Sequence, residues 1–344
     1  MKKLIALVFA FAFIFGCIGG EEQPPPPPVE NVTENETPDI TVIIEEQENI
    51  TVAVNETEVG ENVTEEVWGG IEYSEEPDAI TGIYFLDVCT YGTGDHGGAV
   101  FIKKGDLDIL IDAGSWNTAS RVIDYLRLRG IDDLDLVVST TGDYRRYGGL
   151  DAVLDDFEVE EFWWGGDTFG DADYAEIISK ATEKAGNVRI VERGYMAELN
   201  GIEIEVLNPK KTDRFNNVNN DAIVLRIDDR DLSLLLMSNI QTGGQGDLIG
   251  RYDDKLDVDV IESPYYGVGA GTAQIALFLQ ESKPEFAVIG GCSDETLEVE
   301  GSTRNPYKRL LEQEQYSVDY FEVYKGGTVR ISVDEGGYGV MYEE

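Results

Sequence analysis

The sequence predicts an α/β (α+β) protein whose globular part is a four-layer αββα sandwich, preceded by a signal peptide and a disordered stalk. From about residue 80 to the end of the 344-residue chain, short apolar runs bounded by glycine alternate with segments of helical spacing, which is typical of strand–helix units. In the middle of this region, apolar runs follow one another with only a turn between them, which indicates antiparallel hairpins. Hairpins combined with strand–helix units favour two packed sheets with helices on both outer faces.

The first 16 residues have the order of a secretory signal peptide. Lys2 and Lys3 precede an apolar run of 12 residues, 4–15, which is too short to span a bilayer as a helix. The run leads into Ile-Phe-Gly-Cys, which resembles a prokaryotic lipid-attachment motif, so we expect Cys17 to be lipidated. The protein would then be exported and anchored at the cell surface, to the outer face of the cytoplasmic membrane. Cleavage a few residues later would instead leave a soluble secreted protein.

Residues 17–79 form the predicted stalk. No Lys or Arg occurs between residues 17 and 70, and five consecutive prolines, 24–28, are followed by glutamates and threonines. Such a composition cannot bury enough apolar surface to order the chain. All five Asn-x-Thr sequons lie here, which predicts a glycosylated spacer against the alternative of plain acidic low-complexity sequence; they are at Asn31, Asn35, Asn49, Asn55 and Asn62.

The net charge limits which partners the protein can bind, and the cysteine content limits which disulfides it can form. The formal net charge of −42 at pH 7 repels nucleic acid and anionic lipid headgroups, so any anion site must be local. Of the three cysteines, Cys89 and Cys292 remain for one disulfide if Cys17 carries lipid, and two buried thiols are the alternative.

The elements of the domain, 80–344, follow from apolar spacing. Apolar runs predict strands at 80–88, 99–104, 107–114, 134–140, 159–166, 202–209, 222–227, 232–239, 258–264, 285–291 and 318–323. Apolar residues at helical spacing predict one helix from 119 to a cap at Gly130 and another around 174–181. Further helices are predicted over 150–157, 274–282 and 306–315.

The order of short motifs along the domain resembles a known family. The motifs Phe-Leu-Asp-Val (85–88), Gly-Thr-Gly-Asp (92–95), Ile-Leu-Ile-Asp-Ala-Gly (109–114) and Leu-Asp-Leu-Val-Val-Ser-Thr (134–140) follow one another as in the metallo-β-lactamase superfamily. They most closely resemble the hydrolase-like domain of the ComEC type of competence protein, over nearly all of 80–344. The resemblance implies the sandwich fold, hydrolysis by zinc-bound water, and loops carrying Cys89 and Cys292 at one edge of the sheets.

The metal-binding positions of that family carry other residues in this chain. The family has His-x-(His/Asp)-x-Asp-His after the strand 134–140, then a bridging aspartate, a Pro-His-His-Gly loop and a last histidine. The matching positions of this chain are, in order, Thr141, Asp143, Arg145, Arg146, Asn239, Tyr265, Tyr266 and Asn305.

This replacement removes the chemistry that zinc needs. Zinc takes neutral imidazole, thiolate or carboxylate ligands, whereas Arg145 and Arg146 are permanent cations that repel a metal ion. We therefore expect no zinc, no other cofactor and no catalytic residue. His96, the one histidine of the chain, lies in a loop expected near the pocket rim, and we interpret it as a solvent-facing residue. A ligand or catalytic role for His96 is the alternative.

Two roles remain open for the loop that follows the strand 134–140 and carries Arg145 and Arg146. The arginines and the amino end of the helix over 150–157 could form an anion site, lined by aromatic rings. Alternatively, the arginines pair with acids and fill the vacated cavity. The rings considered are Tyr265, Tyr266, Trp163 and Trp164, and the acids are Asp143, Asp112 and Asp95.

The sequence thus favours a cell-surface lipoprotein whose domain is a non-catalytic binding or scaffold module for a small anion, a glycan or a partner protein. One alternative is a hydrolase, phosphodiesterase or nuclease in type, that holds a hard cation through Asp95, Asp112 and Asp143. The other is an accessory in DNA uptake, by family analogy alone. We do not expect nucleic acid as a partner, because of the negative charge.

Overall fold

The computed structural model describes residues 73–89, 97–252, 254–267, 272–290, 306–316 and 318–343. Several predicted features lie outside these residues: the signal peptide, the stalk up to residue 72 with Cys17 and the five sequons, and the positions Asp95, His96, Cys292 and Asn305.

The described chain forms fifteen strands and eight α-helices. The strands are β1 (Thr81–Phe85), β2 (Val100–Lys104), β3 (Leu107–Ile111), β4 (Asp133–Ser139), β5 (Glu158–Trp164), β6 (Asn187–Ile190), β7 (Met196–Leu199), β8 (Ile202–Asn208), β9 (Val224–Asp229), β10 (Leu232–Leu236), β11 (Val260–Glu262), β12 (Phe286–Ile289), β13 (Asp319–Glu322), β14 (Val329–Asp334) and β15 (Gly337–Tyr342). The helices are α1 (Ala119–Leu128), α2 (Tyr144–Tyr147), α3 (Leu150–Asp156), α4 (Ala172–Lys184), α5 (Thr242–Arg251), α6 (Thr272–Ser282), α7 (Pro306–Leu311) and α8 (Val323–Gly326). Short 3₁₀ turns occupy Asp254–Leu256 and Pro264–Gly267.

The strands form two sheets. The first has the order β15-β14-β1-β2-β3-β4-β5-β6, and the second has the order β13-β12-β11-β10-β9-β8-β7. Each sheet combines an antiparallel half with a parallel half: β3 to β6 run parallel in the first, and β10 to β13 run parallel in the second.

Three apolar cores confirm the predicted αββα sandwich. The largest lies between the sheets and contains Ile102 of β2 and Ile227 of β9. A second lies between the first sheet and α1, α3 and α4, and a third between the second sheet and α5, α6 and α7. Strands that are buried on both faces read as continuous apolar runs, which is why β3 and β4 stood out in the sequence.

A buried ion pair joins the sheets at one end of the sandwich. Lys104 Nζ lies 2.9 Å from Asp229 Oδ1, and both side chains are almost fully excluded from solvent. Thr81 donates its hydroxyl hydrogen to the second carboxylate oxygen. Because an isolated buried charge is very unfavourable, each member of this pair depends on the other.

Residues 73–79, which the sequence analysis placed in the stalk, contact the domain. The Tyr73 ring packs on the core between the sheets, and its hydroxyl accepts from the Asn200 backbone N–H at 2.9 Å. The Ser74 N–H donates to Asp106 Oδ2 at 3.0 Å, in the turn that leads into β3. The chain therefore enters the domain at the amino end of β3. Within the described parts of the chain, no helix is long and apolar enough to cross a bilayer.

The structure adds elements that apolar spacing did not predict, namely β6, β7, β14, β15, α2, α5 and α8. Strand β14 lies inside the first sheet, beside β1. Helix α5 contains four glycines, so its intrinsic helix propensity is poor. It is helical because Gly244 and Leu248 are buried against the second sheet.

Candidate functional site

Arg146 occupies the centre of the candidate site. Its side chain is 2% exposed and donates to three different acceptors. Nε donates to Asn239 Oδ1 at 3.0 Å, one terminal nitrogen to Glu262 Oε1 at 2.8 Å, and the other to Asp112 Oδ2 at 3.3 Å. The guanidinium also lies 5.2 Å from the centre of the Tyr266 ring. One cation thus holds together a constellation of two carboxylates, an amide and a ring.

The two sheets bring these residues together at the carboxyl ends of their strands. Asp112 follows β3, and Asn239 follows β10. Glu262 is the last residue of β11, and Arg146 lies on the short helix α2 after β4. Neighbouring parallel strands end at the same edge of a sheet, so groups far apart in sequence converge there.

The carboxylates are held by further hydrogen bonds. Asp112 accepts from the Thr140 backbone N–H at 2.8 Å and from the Thr140 hydroxyl at 2.6 Å. Glu262 accepts from the Ser238 N–H at 2.8 Å, and the Ser238 and Thr140 hydroxyls are 2.6 Å apart. Burial raises the pKa of Asp112 to about 6, and the nearby guanidinium and Thr140 offset this only in part. The physical reason is that burial disfavours the charged form of the carboxylate, and the neighbouring charge of Glu262 adds a smaller effect in the same direction.

Arg145 has a different environment from Arg146. Asp143 caps the start of α2 by accepting from the Arg145 N–H at 3.0 Å, and it accepts from Asn239 Nδ2 at 2.9 Å. The Arg145 guanidinium makes only a long contact of 3.5 Å to the same carboxylate, and its side chain is 30% exposed. One arginine is therefore buried as a counter-ion, and the next lies at the mouth of the site.

The remaining predicted residues divide into neighbours of the site and residues of the core. Tyr266 is buried beside Arg146, while Tyr265 is half-buried and precedes it in the same loop. Thr141 turns away and donates to the Val218 carbonyl oxygen at 2.7 Å. The tryptophans do not line the cavity as the sequence analysis considered. Trp163 is fully buried between the sheets, and Trp164 packs on the helix side of the first sheet.

The anion site that the sequence analysis considered at the amino end of the helix over 150–157 stays a prediction, but the backbone just before that helix is already hydrogen-bonded. Gly148 and Gly149 are themselves helical, so α2 runs almost directly into α3. The Gly148 N–H donates to the Tyr144 carbonyl and the Gly149 N–H to the Gly114 carbonyl, both at 3.0 Å. These N–H groups are used inside the protein, and Asp143 already supplies a negative charge at the start of the turn. The geometry instead matches the alternative in which an arginine pairs with Asp112 and fills the cavity.

Glu262 is the functional residue that sequence reasoning missed. It is an acid at the end of an otherwise apolar, fully buried strand. A buried carboxylate needs a cation or several donors, so its presence in such a run was a signal that a buried positive charge lay nearby.

The residues present do not fit the zinc that the fold family implies. The oxygens that converge on the centre, from Asp112, Glu262 and Asn239, all accept from one guanidinium, which cannot lose its proton and has no lone pair for a metal. Among the described residues, no group of three His, Cys, Asp or Glu side chains is placed to hold a metal ion.

Cys89 lies beside this site. It is buried and takes part in a disulfide. Its predicted partner, Cys292, lies outside the described residues, so the pairing stays a prediction.

Comparison with known proteins gives matches of two kinds. The chain is 20% identical over 210 residues to ComE operon protein 3 of Bacillus subtilis, covering 61% of this chain and 26% of that protein. It is 24% identical over 194 residues to competence protein ComA of Neisseria gonorrhoeae, covering 56% and 25% of the two chains. The chain therefore spans about a quarter of the length of each relative. No protein-family model matches.

The solved structures that are similar include the metallo-beta-lactamase fold protein YhfI from Bacillus subtilis, at 14% identity and a TM-score of 0.49, covering 73% of this chain and 99% of that one. A diphosphatase of the PhnP family is 11% identical with a TM-score of 0.44, covering 74% and 98%. The two packed sheets and the outer helices agree with the fold that the sequence motifs imply, and the chain is similar to these two competence proteins over more than half of its length, with Arg146 at a position that the resemblance assigns to a metal ligand.

Proposed function

We propose that the protein is a cell-surface lipoprotein whose metallo-β-lactamase-type domain is a non-catalytic binding and scaffold module. The observation that carries this proposal is the burial of Arg146 among Asp112, Glu262 and Asn239. A guanidinium neutralises the acids of the cavity without offering a coordination position or lowering the pKa of a bound water. The arginine fills the cavity and preserves the fold, so a ligand would be recognised by the groups around the opening of the cavity.

The packing of the cavity supports a binding role at the surface rather than inside. A methyl group added at Gly98 would lie 2.7 Å from the Arg146 guanidinium, so the backbone already closes tightly over it. The remaining space beside Glu262 and Tyr266 has a volume of about 20 Å³, which is room for about one water molecule. Among the described residues, this space is too small for a ligand much larger than water.

Metal content and hydrolysis test the non-catalytic part of the proposal. The full chain, purified without chelator and then dialysed against zinc, manganese or calcium, is expected to retain far less than one equivalent of metal by plasma mass spectrometry. It is also expected not to hydrolyse a phosphodiester such as bis(4-nitrophenyl) phosphate. One equivalent of metal that is lost in Asp112→Asn, together with metal-dependent turnover, would refute the proposal and favour the hydrolase that uses oxygen ligands.

The surface anchor is tested separately. Lipidation of Cys17 predicts that the protein fractionates with membranes and carries a mass increment on its first mature residue. Cys17→Ser should release it to the medium or leave an uncleaved precursor. Fractionation that is unchanged in Cys17→Ser would contradict the anchor without touching the binding role.

A second candidate function, an accessory in DNA uptake, is favoured by the similarity to ComE operon protein 3 and competence protein ComA. The net charge of −42 opposes it, because a polyanion is repelled by the surface as a whole. A mobility shift of a DNA duplex that weakens steeply with salt would support this candidate. Unchanged DNA mobility at low salt would leave only the family analogy.

A further inference from the structure

Two aromatic side chains are exposed together at the mouth of the site. Trp116, in the loop between β3 and α1, is 47% exposed, and Tyr144, the first residue of α2, is 37% exposed. Their ring centres lie 5.5 Å apart and their planes differ by 12°, so the rings are stacked. We call these two residues the aromatic platform.

The protein holds the platform rigidly. The buried ring of Tyr147 meets Trp116 edge-on at 5.7 Å and is itself packed on Tyr174 at 4.8 Å. The backbone of Trp116 is pressed against Gly148, where an added methyl group would lie 2.7 Å from its nitrogen. Because the rings are fixed before any ligand arrives, a ligand would lose little affinity to ordering them.

Polar groups stand directly beside the rings. The Arg145 guanidinium lies 4.7 Å from the centre of the Tyr144 ring, and its single 3.5 Å contact to Asp143 leaves most of its donors for other partners. Tyr265 belongs to the same mouth: its pKa is raised first by burial and then by the nearby Asp143. Its backbone is left-handed, with φ of 45°, a conformation that costs energy in a residue other than glycine.

The platform lies at the opposite end of strand β3 from residues 73 and 74, the first described residues of the chain. Tyr73 and Ser74 are fixed at the turn before β3, and Trp116 follows the opposite end of that strand. Five strand residues separate the two ends by about 17 Å.

We propose that Trp116, Tyr144 and Arg145 form a binding site for a neutral pyranose sugar, and this proposal rests on the non-catalytic binding function above. A pyranose ring has an apolar face of C–H groups that stacks on an indole or phenol, and vicinal hydroxyls that pair with a planar guanidinium or a carboxylate. The site offers both kinds of group side by side.

The size and charge of the site favour a neutral sugar over other ligands. The exposed area of the two residues amounts to on the order of 200 Å²; because the rings are stacked on each other, only their outward parts are available, which suits about one sugar ring. A stable protein partner would need about 800 Å² on this side. An anionic ligand would meet Asp143 beside the partly exposed Arg145, and a nucleic acid would meet the net charge of −42.

The test is titration of the full chain with neutral hexasaccharides of glucose, mannose and N-acetylglucosamine, followed by tryptophan fluorescence and calorimetry. At least one of them is expected to bind and to shift the emission of the exposed indole. Trp116→Ala should weaken that binding by about tenfold or more, and Arg145→Ala by several-fold. Trp116→Phe keeps a ring and should bind better than Trp116→Ala. Met341→Ala, a matched control with 50% exposure on strand β15, should bind as the wild type does.

The outcomes separate this inference from the function on which it rests. No binding of any hexasaccharide at millimolar concentration, or equal binding by Trp116→Ala with its fold confirmed by circular dichroism, overturns the sugar site and leaves the non-catalytic module untouched. Cleavage of a hexasaccharide by the wild type overturns the non-catalytic function itself. Salt-sensitive binding of a single-stranded oligonucleotide that is lost in Trp116→Ala would assign the platform to base stacking and overturn the sugar proposal.

Discussion

Replacement of Arg146 by methionine should destabilise the domain strongly, because it removes a buried counter-ion and keeps only the apolar length of the side chain. Three acceptors lose their donor at once: the carboxylates of Asp112 and Glu262 and the amide oxygen of Asn239. Removing one partner of a buried ion pair typically costs about 3–5 kcal/mol. We expect the upper part of that range, because two carboxylates lose the same cation. Each keeps other donors, from Thr140 and Ser238, which prevents a larger loss.

The loss should depend on pH in a defined direction. The pKa of Asp112 is already raised to about 6 in the folded state, and removing the guanidinium raises it further. A group with a raised folded pKa contributes stability at low pH that is lost as the pH rises through that pKa. Arg146→Met should therefore lose about 1–2 kcal/mol less stability at pH 5 than at pH 8.

The assay is chemical unfolding of the full chain, followed by tryptophan fluorescence, at pH 5 and pH 8. Arg145→Met is the matched control, since its long 3.5 Å contact, partly open to solvent, should contribute only about 1 kcal/mol. The triple variant Arg146→Met, Asp112→Asn, Glu262→Gln should regain part of the stability by removing the unpaired charges. Equal unfolding midpoints for Arg146→Met and Arg145→Met would refute the argument that Arg146 is a structural counter-ion.

Three further predictions concern other parts of the fold. Burial raises the pKa of Asp135 to about 7, so the free energy of unfolding of the wild type should fall as the pH rises from about 4 through 7. In Asp135→Asn, the unfolding midpoints at pH 5 and pH 8 should differ less than they do in the wild type. An unchanged difference between the two midpoints would contradict this prediction. Lys104→Met should cost about 3 kcal/mol in urea unfolding, because it removes the buried cation of Asp229 and leaves that carboxylate the Thr81 hydroxyl and a long 3.8 Å contact to Arg230; a neutral effect would show that the pair is not needed. Gly98→Ala, which places a methyl group 2.7 Å from the buried guanidinium, should lower the thermal midpoint, with a cost of about 1–3 kcal/mol. Gly246→Ala, in the helix α5 with open space around it, should raise that midpoint; the reverse order of these two would exclude tight closure of the cavity.

Much of the fold could be predicted because the spacing of apolar residues along the sequence indicates which faces of each strand or helix are buried. Strands β3 and β4 are buried on both faces and therefore appear as continuous apolar runs, and α1 and α4 show apolar residues on one face. Helix α5 could not be predicted in this way, because its four glycines make it a poor helix in isolation. Its structure depends on the sheet against which it packs.

The sequence alone leads us to expect that the metal chemistry of the family it resembles is missing, because the motif order shows which side chains occupy the metal-binding positions and a guanidinium cannot bind a metal ion. Only the tertiary structure decided which arginine fills the cavity. Successive residues on a helix point about 100° apart, so Arg145 and Arg146 cannot both face inward from α2. Arg146 is the buried arginine because the sandwich brings Asp112 and Glu262, which are 150 residues apart in the chain, to the same side of that helix. A local sequence pattern cannot predict this contact, because it forms only when the ends of β3 and β11 meet across the two sheets.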